Sequence, residues 1–297
     1  MMILTHRCVV PYISVIAEGM DMMMDSREFD VAATEVILHE HTNILMPMTL
    51  VAQQVGLSCS HLRRKFKQSF GVTPTDYHAA IRLDRAAMLL IYTRKSIMEV
   101  ALECGYQDHA AFSRVFRRHF GSSPRGYRES MRMEIATNGL VRDDATPVNV
   151  VEHDEEHFLV MRSFGEDKNS EESLRQMLLA MSPQHAKESI VESVCFYYDD
   201  PNITPAHRMR KDVGYRMTKR ATWNPPLPLR WVTVPAGRSM SATLGSEKDR
   251  EQCFKHMAIR WAQEHNEQIR VDHSRVIYHE GMRDAGMKSL ELRVPLD

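Results

Sequence analysis

The chain has 297 residues, of which 43% are apolar and 26% charged, a composition that excludes a disordered or fibrous protein. Its formal net charge of −1 hides an uneven distribution. Residues 46–132 contain 14 Lys and Arg against 6 Asp and Glu, whereas residues 1–45 contain 2 against 7 and residues 133–297 contain 22 against 26. A basic block between acidic flanks predicts a module that binds a polyanion.

The five cysteines lie far apart and form no Cys-x-x-Cys pair, which argues against a zinc ribbon or disulfide framework and fits a reducing compartment. No apolar run reaches the length of a membrane span. Residues 9–17 are mildly apolar, but Pro11 interrupts them and no clear cleavage site follows. We therefore expect a cytoplasmic protein without a membrane partner, and a disordered extension at residues 1–25.

The first predicted element is a helix over residues 26–43, with Val31, Glu35 and Leu38 on one repeating face. From there to residue 132 the chain changes to short helices punctuated by glycine and proline. The sequence therefore predicts an all-α domain at residues 26–132.

Two stretches of this domain resemble each other: residues 48–78, called here the first repeat, and residues 97–128, the second repeat. Ala52 and Gly56 recur 49 positions later. Six more residues recur 50 positions later, as the pairs Arg64/Arg114, Phe66/Phe116, Phe70/Phe120, Gly71/Gly121, Pro74/Pro124 and Tyr77/Tyr127. Eight matches with a single slip indicate an internal repeat.

Each repeat has the features of a helix-turn-helix. A short helix, Leu50–Val55 or Met98–Cys104, is ended by a glycine that can adopt the left-handed conformation. A longer helix follows, Ser60–Phe70 or Ala110–Phe120, with an apolar stripe that packs on the short helix. The stripe residues are Leu62, Phe66 and Phe70 in the first repeat, and Phe112, Val115, Phe116 and Phe120 in the second.

The stripes leave cationic side chains on the outer face of each longer helix. A helix fits the major groove of B-DNA, and a guanidinium pairs bidentately with guanine O6 and N7, so exposed arginines can read bases. Lys65, Lys67, Arg117 and Arg118 are expected to neutralise phosphates. The helical segment Thr75–Tyr92 would hold the reading helices about 34 Å apart if they enter successive grooves. The alternative is that these faces are only solvated, as charged helix faces usually are.

The segments GLSCSHLRRKFKQSFGVTPTDY and GYQDHAAFSRVFRRHFGSSPRGYR resemble the paired-helix DNA-binding domain of the AraC/XylS family. The resemblance covers about residues 26–132. It implies seven helices, an asymmetric double-stranded DNA site at a promoter or operator, RNA polymerase as a partner, transcription activation, and a location in the bacterial nucleoid. By position it implies base-reading residues at Ser60, Arg63, Arg64, Ala110, Ala111 and Arg114. Because the alanines have no hydrogen-bonding side chain, we expect weaker or apolar readout there, such as contact with a thymine methyl group.

The polar residues 133–146 are predicted to be a linker. Beyond them, strand-like and helical segments predict an α+β domain with a mainly antiparallel sheet at residues 147–297. Strands are expected at Val148–Val151, Phe158–Met161, Ser193–Tyr198, Val213–Met217, Arg230–Val234, Arg275–Tyr278 and Leu290–Val294. Helices are expected near Glu171–Met181 and Glu247–Glu264. Similar dipeptides, Phe164-Gly165 and Leu244-Gly245, precede both helices, which predicts two strand-helix-strand-strand (βαββ) halves.

Three segments resemble the GyrI-like effector-binding domain: CFYYDDP (Cys195–Pro201), DVGYRM (Asp212–Met217) and ELRVPL (Glu291–Leu296). The order of the two domains resembles the right-origin-binding (Rob) type of regulator, which implies a cleft for a small hydrophobic or cationic effector. The residues expected to line this cleft are Phe164, Tyr197, Tyr215, Trp223, Tyr278, Glu280 and Glu291. Val276 occupies the position of the family's buried glutamate, so Glu280 and Glu291 are the remaining acidic candidates.

One motif suggests catalysis instead. His153 and His157 belong to an H-x-x-E-H pattern, which binds zinc only on a helix, where both histidines converge on the metal. Their neighbours are strand-like, and on a strand the two would lie about 13 Å apart, so we predict no metal site, no cofactor and no enzyme. Two alternatives stay open for the second domain. It could sequester a protein or toxin, or hydrolyse a small molecule with an acid and a base placed close together.

Overall fold

The computed structural model describes residues 26–137, 146–165, 171–279 and 289–297. Residues 26–137 form helices joined by short turns. The helices are α1 Ser26–Glu40, α2 Met48–Gln54, α3 Cys59–Phe70, α4 Pro74–Tyr92, α5 Ile97–Glu103, α6 His109–Phe120 and α7 Pro124–Thr137. The predicted extension, residues 1–25, lies outside the described residues. So do residues 138–145 of the predicted linker. The linker prediction is wrong at its start, because α7 continues through residues 133–137 and buries Ile135.

Side-chain caps determine where several of these helices begin. Ser58 accepts a hydrogen bond from the backbone of His61 at the start of α3, and Thr73 accepts one from Asp76 at the start of α4. Ser96 and Glu99 form a reciprocal capping box at α5. These contacts satisfy backbone N–H groups that have no partner within the helix.

A single eight-stranded sheet forms the second domain, with the order β1-β6-β8-β7-β3-β4-β2-β5. Its pairings are antiparallel. The strands are β1 Val148–His153, β2 Glu156–Phe164, β3 Ile190–Tyr197, β4 Arg210–Met217, β5 Leu229–Val234, β6 Gly237–Leu244, β7 Arg275–His279 and β8 Ser289–Pro295. Sequence reasoning missed β6, although Met240, Ala242 and Leu244 alternate there with polar residues.

Helices cover one face of this sheet. They are α8 Glu171–Met181, α9 Gln184–Lys187, α10 Arg250–Lys255 and α11 Ala262–Glu264, with a π-helical turn, His256–Trp261, between the last two. Short 3-10 turns lie at Ala206–Arg208 and Glu247–Asp249. We call the covered side of the sheet the helix face. Leu159, Met161 and Cys195 on this face share one core with Leu174 and Leu178 of α8. On the opposite face, Phe158, Val160 and Phe196 form a smaller core.

The two repeats differ in how their cores relate to the second domain. Phe66, Tyr77 and Leu62 of the first repeat form a cluster of their own with α1. Phe112 and Phe116 of the second repeat belong instead to the large cluster that continues through α4 onto the helix face. The second repeat therefore shares its hydrophobic core with the sheet domain, and the first repeat does not.

Helix α1, which packs on the first repeat, contacts the sheet through buried charged side chains. Arg162 on β2 donates to Glu35 of α1 at 2.5 Å and to Asp212 of β4 at 2.6 Å, and all three side chains are 0% exposed. Arg162 also donates to His39 Nδ1 at 3.0 Å. Burial, together with Arg210 and Arg162, lowers the pKa of His39 well below its usual value, which fits a neutral ring that accepts this bond.

Candidate nucleic-acid interface

Helix α3 presents a cationic face to solvent. Its stripe is inward, since Leu62 and Phe66 are buried, and Ser60, Arg63, Arg64 and Lys67 are exposed. Ser58 caps the N-terminus, and Gly71 ends the helix in the left-handed conformation with φ +73°. The exposed side chains near the helix start are thus free to approach a groove.

Helix α6 repeats this design with a different outer face. Phe112 and Phe116 are buried, while Ala110, Arg114, Arg117 and Arg118 are exposed and Ala111 is half-buried. Asp108 caps the helix, and its two carboxylate oxygens accept from the backbone N–H groups of Ala110 and Ala111 at 2.9 and 3.1 Å. These bonds lower the pKa of Asp108, so an anionic carboxylate lies next to the two alanines.

The same three-ring cluster supports both longer helices. In the first repeat the ring centroids of Phe66 and Phe70 lie 4.6 Å apart and those of Phe66 and Tyr77 lie 5.2 Å apart. The corresponding separations in the second repeat, Phe116–Phe120 and Phe116–Tyr127, are 4.6 and 5.4 Å. Recurrence of the aromatic residues in the sequence therefore corresponds to recurrence of their packing.

Lys65 differs from the other cations of α3 because it already has a partner. Its ammonium donates to Asp30 of α1 at 2.5 Å, and its side chain is only 16% exposed. The analogous position in the second repeat is Val115, which packs against the core. The predicted phosphate contact at Lys65 thus competes with an ion pair inside the helical region.

Arginines of α4 and α7 hold the helices between the repeats. Arg82 on α4 donates to the carbonyl oxygens of Cys104 and Gly105 at the end of α5, at 2.8 and 2.9 Å. Arg128 and Arg132 on α7 donate to carbonyl groups at the C-terminal end of α4. Because a guanidinium can satisfy several unpaired carbonyls at once, these contacts fix where α5 and α7 meet α4.

Only some of the predicted cleft residues share the helix face. Tyr215 and Tyr278 lie on either side of Ser193 in adjacent strands, about 10 Å apart by strand spacing. Tyr197 carries the guanidinium of Arg250 over its ring at 3.8 Å. Val276 is fully buried beside Cys195.

The remaining predicted cleft residues lie elsewhere. Trp223 lies beside edge strand β5, where its carbonyl accepts from Trp231. Phe164 is on the opposite face of the sheet and packs edge-on against Phe70 of α3. Glu291 also points to the opposite face, where Ser241, His279 and Arg293 donate to it. Glu280 lies outside the described residues.

Sequence reasoning missed the polar cluster around Tyr278. The Tyr278 hydroxyl lies 3.1 Å from Glu171 and makes a shorter bond with Glu247, so both helix-starting glutamates meet at one phenol. Burial would raise the pKa of Glu171, but a hydrogen bond from Lys211 and the charges of Lys211 and Arg175 lower it. The available signal was that each glutamate is the first residue of a helix predicted after one of the two similar dipeptides.

A cavity also lies between α4 and the second domain. Met88 of α4 lines it together with Tyr197, Asp199, Asp200, Phe254 and Ser274. The Tyr92 hydroxyl donates to Asp200 at its edge. Ser274 Oγ is buried and has no hydrogen-bond partner among the described residues. This cavity joins groups that are more than 100 residues apart, and no local pattern could have predicted it.

The H-x-x-E-H motif does not lie on a helix. His153 ends β1 and His157 lies on β2, as the flanking residues had predicted. Within the part of the chain that the structure describes, no three His, Cys, Asp or Glu residues are arranged to hold a metal ion. Nor does any helix in those ranges combine the length and apolarity needed to cross a membrane.

Comparison with known proteins confirms the predicted helix-turn-helix domain. Residues 51–130 match the family described as a helix-turn-helix domain. Over 101 residues the chain is 38% identical to the HTH-type transcriptional regulator ArgR of Pseudomonas aeruginosa, a match to 33% of this chain and 31% of ArgR. Over 79 residues it is 43% identical to the HTH-type transcriptional activator RhaS of Escherichia coli, which covers 27% of this chain and 28% of RhaS. The match thus spans less than a third of these curated relatives.

Solved structures also match about a third of the chain. The DNA-binding domain of AdpA, a global transcriptional factor in complex with a target DNA, is 28% identical. This match covers 36% of the chain and 97% of that domain, with a TM-score of 0.35. An AraC-type transcriptional regulator from Chromobacterium violaceum is 33% identical. It covers 34% of the chain and 89% of that structure, with a TM-score of 0.33.

Proposed function

We propose that the chain is a sequence-specific, DNA-binding transcription regulator of the AraC/XylS type, and that it acts as an activator. Its two repeats serve as two helix-turn-helix units, with α3 and α6 as the reading helices. Promoter DNA is the partner, and RNA polymerase is the protein that an activator at a promoter must contact. The similarity to RhaS, a transcriptional activator, supports activation over repression.

The observation that carries this proposal is the pairing of a buried aromatic face with an exposed arginine face on both reading helices. Arg64 and Arg114 occupy equivalent positions and are exposed. A free guanidinium at such a site can bind guanine O6 and N7 bidentately. Lys67, Arg117 and Arg118 are exposed farther along the same helices and can contact phosphates.

The test is affinity of the full chain for duplexes selected from a random pool. Arg64→Ala and Arg114→Ala should each weaken binding to the selected duplex by about 1–3 kcal/mol and relax base preference at one position. Arg125→Ala is the matched control, because Arg125 on α7 is 83% exposed and pairs with Glu129 one helical turn away; it should leave affinity nearly unchanged. Selection that enriches no duplex would contradict the proposal.

For the second domain we propose a GyrI-like, effector-binding role at the helix face. Tyr215, Tyr278 and Tyr197 supply aromatic surface there, and Glu171 and Glu247 supply charge beside the Tyr278 hydroxyl. Aromatic rings with a few converging polar groups are typical of small-molecule sites. This arrangement would suit a hydrophobic molecule that carries a hydrogen-bond donor or a positive charge.

A thermal-shift series with the full chain tests this second role. Hydrophobic ammonium compounds and neutral molecules of matched size should raise the melting temperature of the wild type. Tyr278→Phe, which removes only the hydroxyl, should reduce the shift. Because two nearby carboxyl groups are also what a hydrolytic site would need, each compound should be assayed for turnover, and turnover lost in Glu247→Gln would favour the enzymatic alternative. Equal shifts in wild type and variant for every compound would overturn the role.

A further inference from the structure

Arg85 of α4 joins three parts of the molecule. Its guanidinium donates to both carboxylate oxygens of Asp272, which lies in the second domain just before β7, with one bond of 2.8 Å and one shorter bond. It also donates to Glu103 at the end of α5 at 3.0 Å. A bidentate arginine–carboxylate pair fixes both distance and orientation, so it restricts geometry more than a lysine contact would.

Neighbouring groups stabilise the contacts of Arg85 with Asp272 and Glu103. Lys95 donates to the other oxygen of Glu103, so α5 is held by two cations. Burial would raise the pKa of Asp272, but the hydrogen bond from Arg85 and its charge lower it below the usual value. Arg85 is 19% exposed and Asp272 39% exposed. The Arg85–Asp272 pair is therefore ionised at neutral pH. Because both side chains reach the surface, either can be substituted without leaving a cavity in the hydrophobic core.

The second domain makes separate contacts with α1 and with α3 of the first repeat. Arg230 on β5 donates to Glu40 of α1 at 2.9 Å, and the ring of Phe164 on β2 packs 5.2 Å from that of Phe70 at the end of α3. The second domain thus contacts the end of the first reading helix through β2. Through Asp272 and Arg85 it also contacts the short helix α5, on which the second reading helix packs.

We propose that the second domain sets the relative orientation of α3 and α6, with Arg85 as a positioning residue that restricts the spacing of the two DNA half-sites. This inference rests on the proposed function, because it requires both helices to read one duplex. Inserting one base pair between half-sites rotates the second by about 35° around the axis. A rigid protein can follow only if the DNA twists, and DNA deformation costs free energy.

The experiment compares full-chain affinity for the selected duplex with affinity for duplexes that carry one base pair more or fewer between half-sites. The wild type should bind the altered spacings about tenfold more weakly or worse. Asp272→Asn and Arg85→Lys should reduce this ratio several-fold. Glu267→Gln, which removes a different ion pair of the second domain, with Arg238, is the matched control and should keep the wild-type ratio.

The spacing ratio separates positioning from a general loss of stability, which would weaken binding to every spacing by the same factor. Ratios in Asp272→Asn and Arg85→Lys equal to those of the wild type and Glu267→Gln would overturn the inference while leaving DNA binding intact. Failure of the wild type to bind any selected duplex would instead overturn the proposed function.

Discussion

The two repeats share a core design but differ on their outer faces and in their attachment to the sheet. Both pack three aromatic rings at nearly equal separations. On the outer faces, α3 exposes Ser60 and Arg63 where α6 has Ala110 and Ser113, and α3 is capped by Ser58 where α6 is capped by Asp108. The first repeat keeps its own core, and α1 meets the sheet through buried ions. The second shares a hydrophobic core with the sheet. The two repeats thus share their aromatic core and differ on the faces that we propose to contact DNA and in their contacts with the neighbouring domain.

The largest predicted effect is on stability, at the buried ion cluster that joins α1 to the sheet. Arg162→Ala should lower the free energy of unfolding by about 3–5 kcal/mol, because two buried carboxylates would each lose a directly bonded cation. Glu35 would keep Arg210 at 3.7 Å and Asp212 would keep Arg230 at 2.7 Å. Arg238→Ala, on the same sheet but 42% exposed, should cost no more than about 1 kcal/mol. Chemical denaturation of the full chain measures both, and equally small losses would show that the cluster does not anchor α1.

The turn glycines provide the next comparison between repeats. Gly56 and Gly105 both have positive φ, +69° and +74°, so alanine at either site should cost about 1–2 kcal/mol of backbone strain. At Gly105 an added Cβ would also lie 2.6 Å from the Asn43 carbonyl oxygen, whereas nothing lies within 4 Å at Gly56. Gly105→Ala should therefore cost about 1–3 kcal/mol more than Gly56→Ala. Equal melting-temperature losses would contradict this close approach.

A buried carboxylate makes the second repeat's junction sensitive to pH. Asp84 on α4 accepts from Thr204 and Arg208 of the second domain at 3.3 Å each and lies 3.9 Å from His119 of α6. Burial raises the pKa of Asp84 to about 6, against the lowering effect of Arg208 and Arg210. Between pH 4 and 6 the folded chain therefore binds more protons at this site than the unfolded chain does.

The contribution of Asp84 to stability should accordingly be lost as the pH rises through that window. Relative to Asp84→Asn, the wild type should lose about 1–3 kcal/mol of unfolding free energy between pH 4 and pH 7. His78 titrates in both proteins, so its effect cancels in the difference. Any change in the titration of His119 is part of the Asp84 effect, because the two groups lie 3.9 Å apart. Denaturation at a series of pH values measures it, and a flat difference would refute the assignment.

The smallest predicted effect separates two lysines of α3. Lys67 is exposed, so Lys67→Ala should weaken binding to all sequences alike and reduce the salt-dependence slope by about 1. Lys65 is held by Asp30, so Lys65→Ala should change the slope much less. Affinities of both variants measured across a series of salt concentrations test this difference. Equal changes in slope would indicate that Lys65 contacts a phosphate as Lys67 does.

Local patterns predicted the repeats, because spacing along one chain determines which side chains share a helix face. The caps at Ser58 and Asp108 and the left-handed glycines follow the same local rules. Contacts between distant segments could not be predicted in this way: Glu35 and Arg162 are 127 positions apart, and no periodicity links them.

The cleft residues show how strand register limits prediction. Successive residues of a strand point to opposite faces, so the face of each residue depends on an exact register. Tyr278 pairs with Leu290, and Ile277 pairs with Glu291, which places Tyr278 and Glu291 on opposite sides of the sheet. The sequence indicated both strands but not this difference of one residue, and Glu291 was wrongly grouped with Tyr278.

Footprinting of the full chain on a selected duplex tests the central claim most directly. If α3 and α6 are paired readers, protection should cover two major-groove segments about one helical turn apart. Arg64→Ala should weaken one segment and Arg114→Ala the other. Uniform protection along the duplex, or two segments that neither substitution changes, would contradict the account.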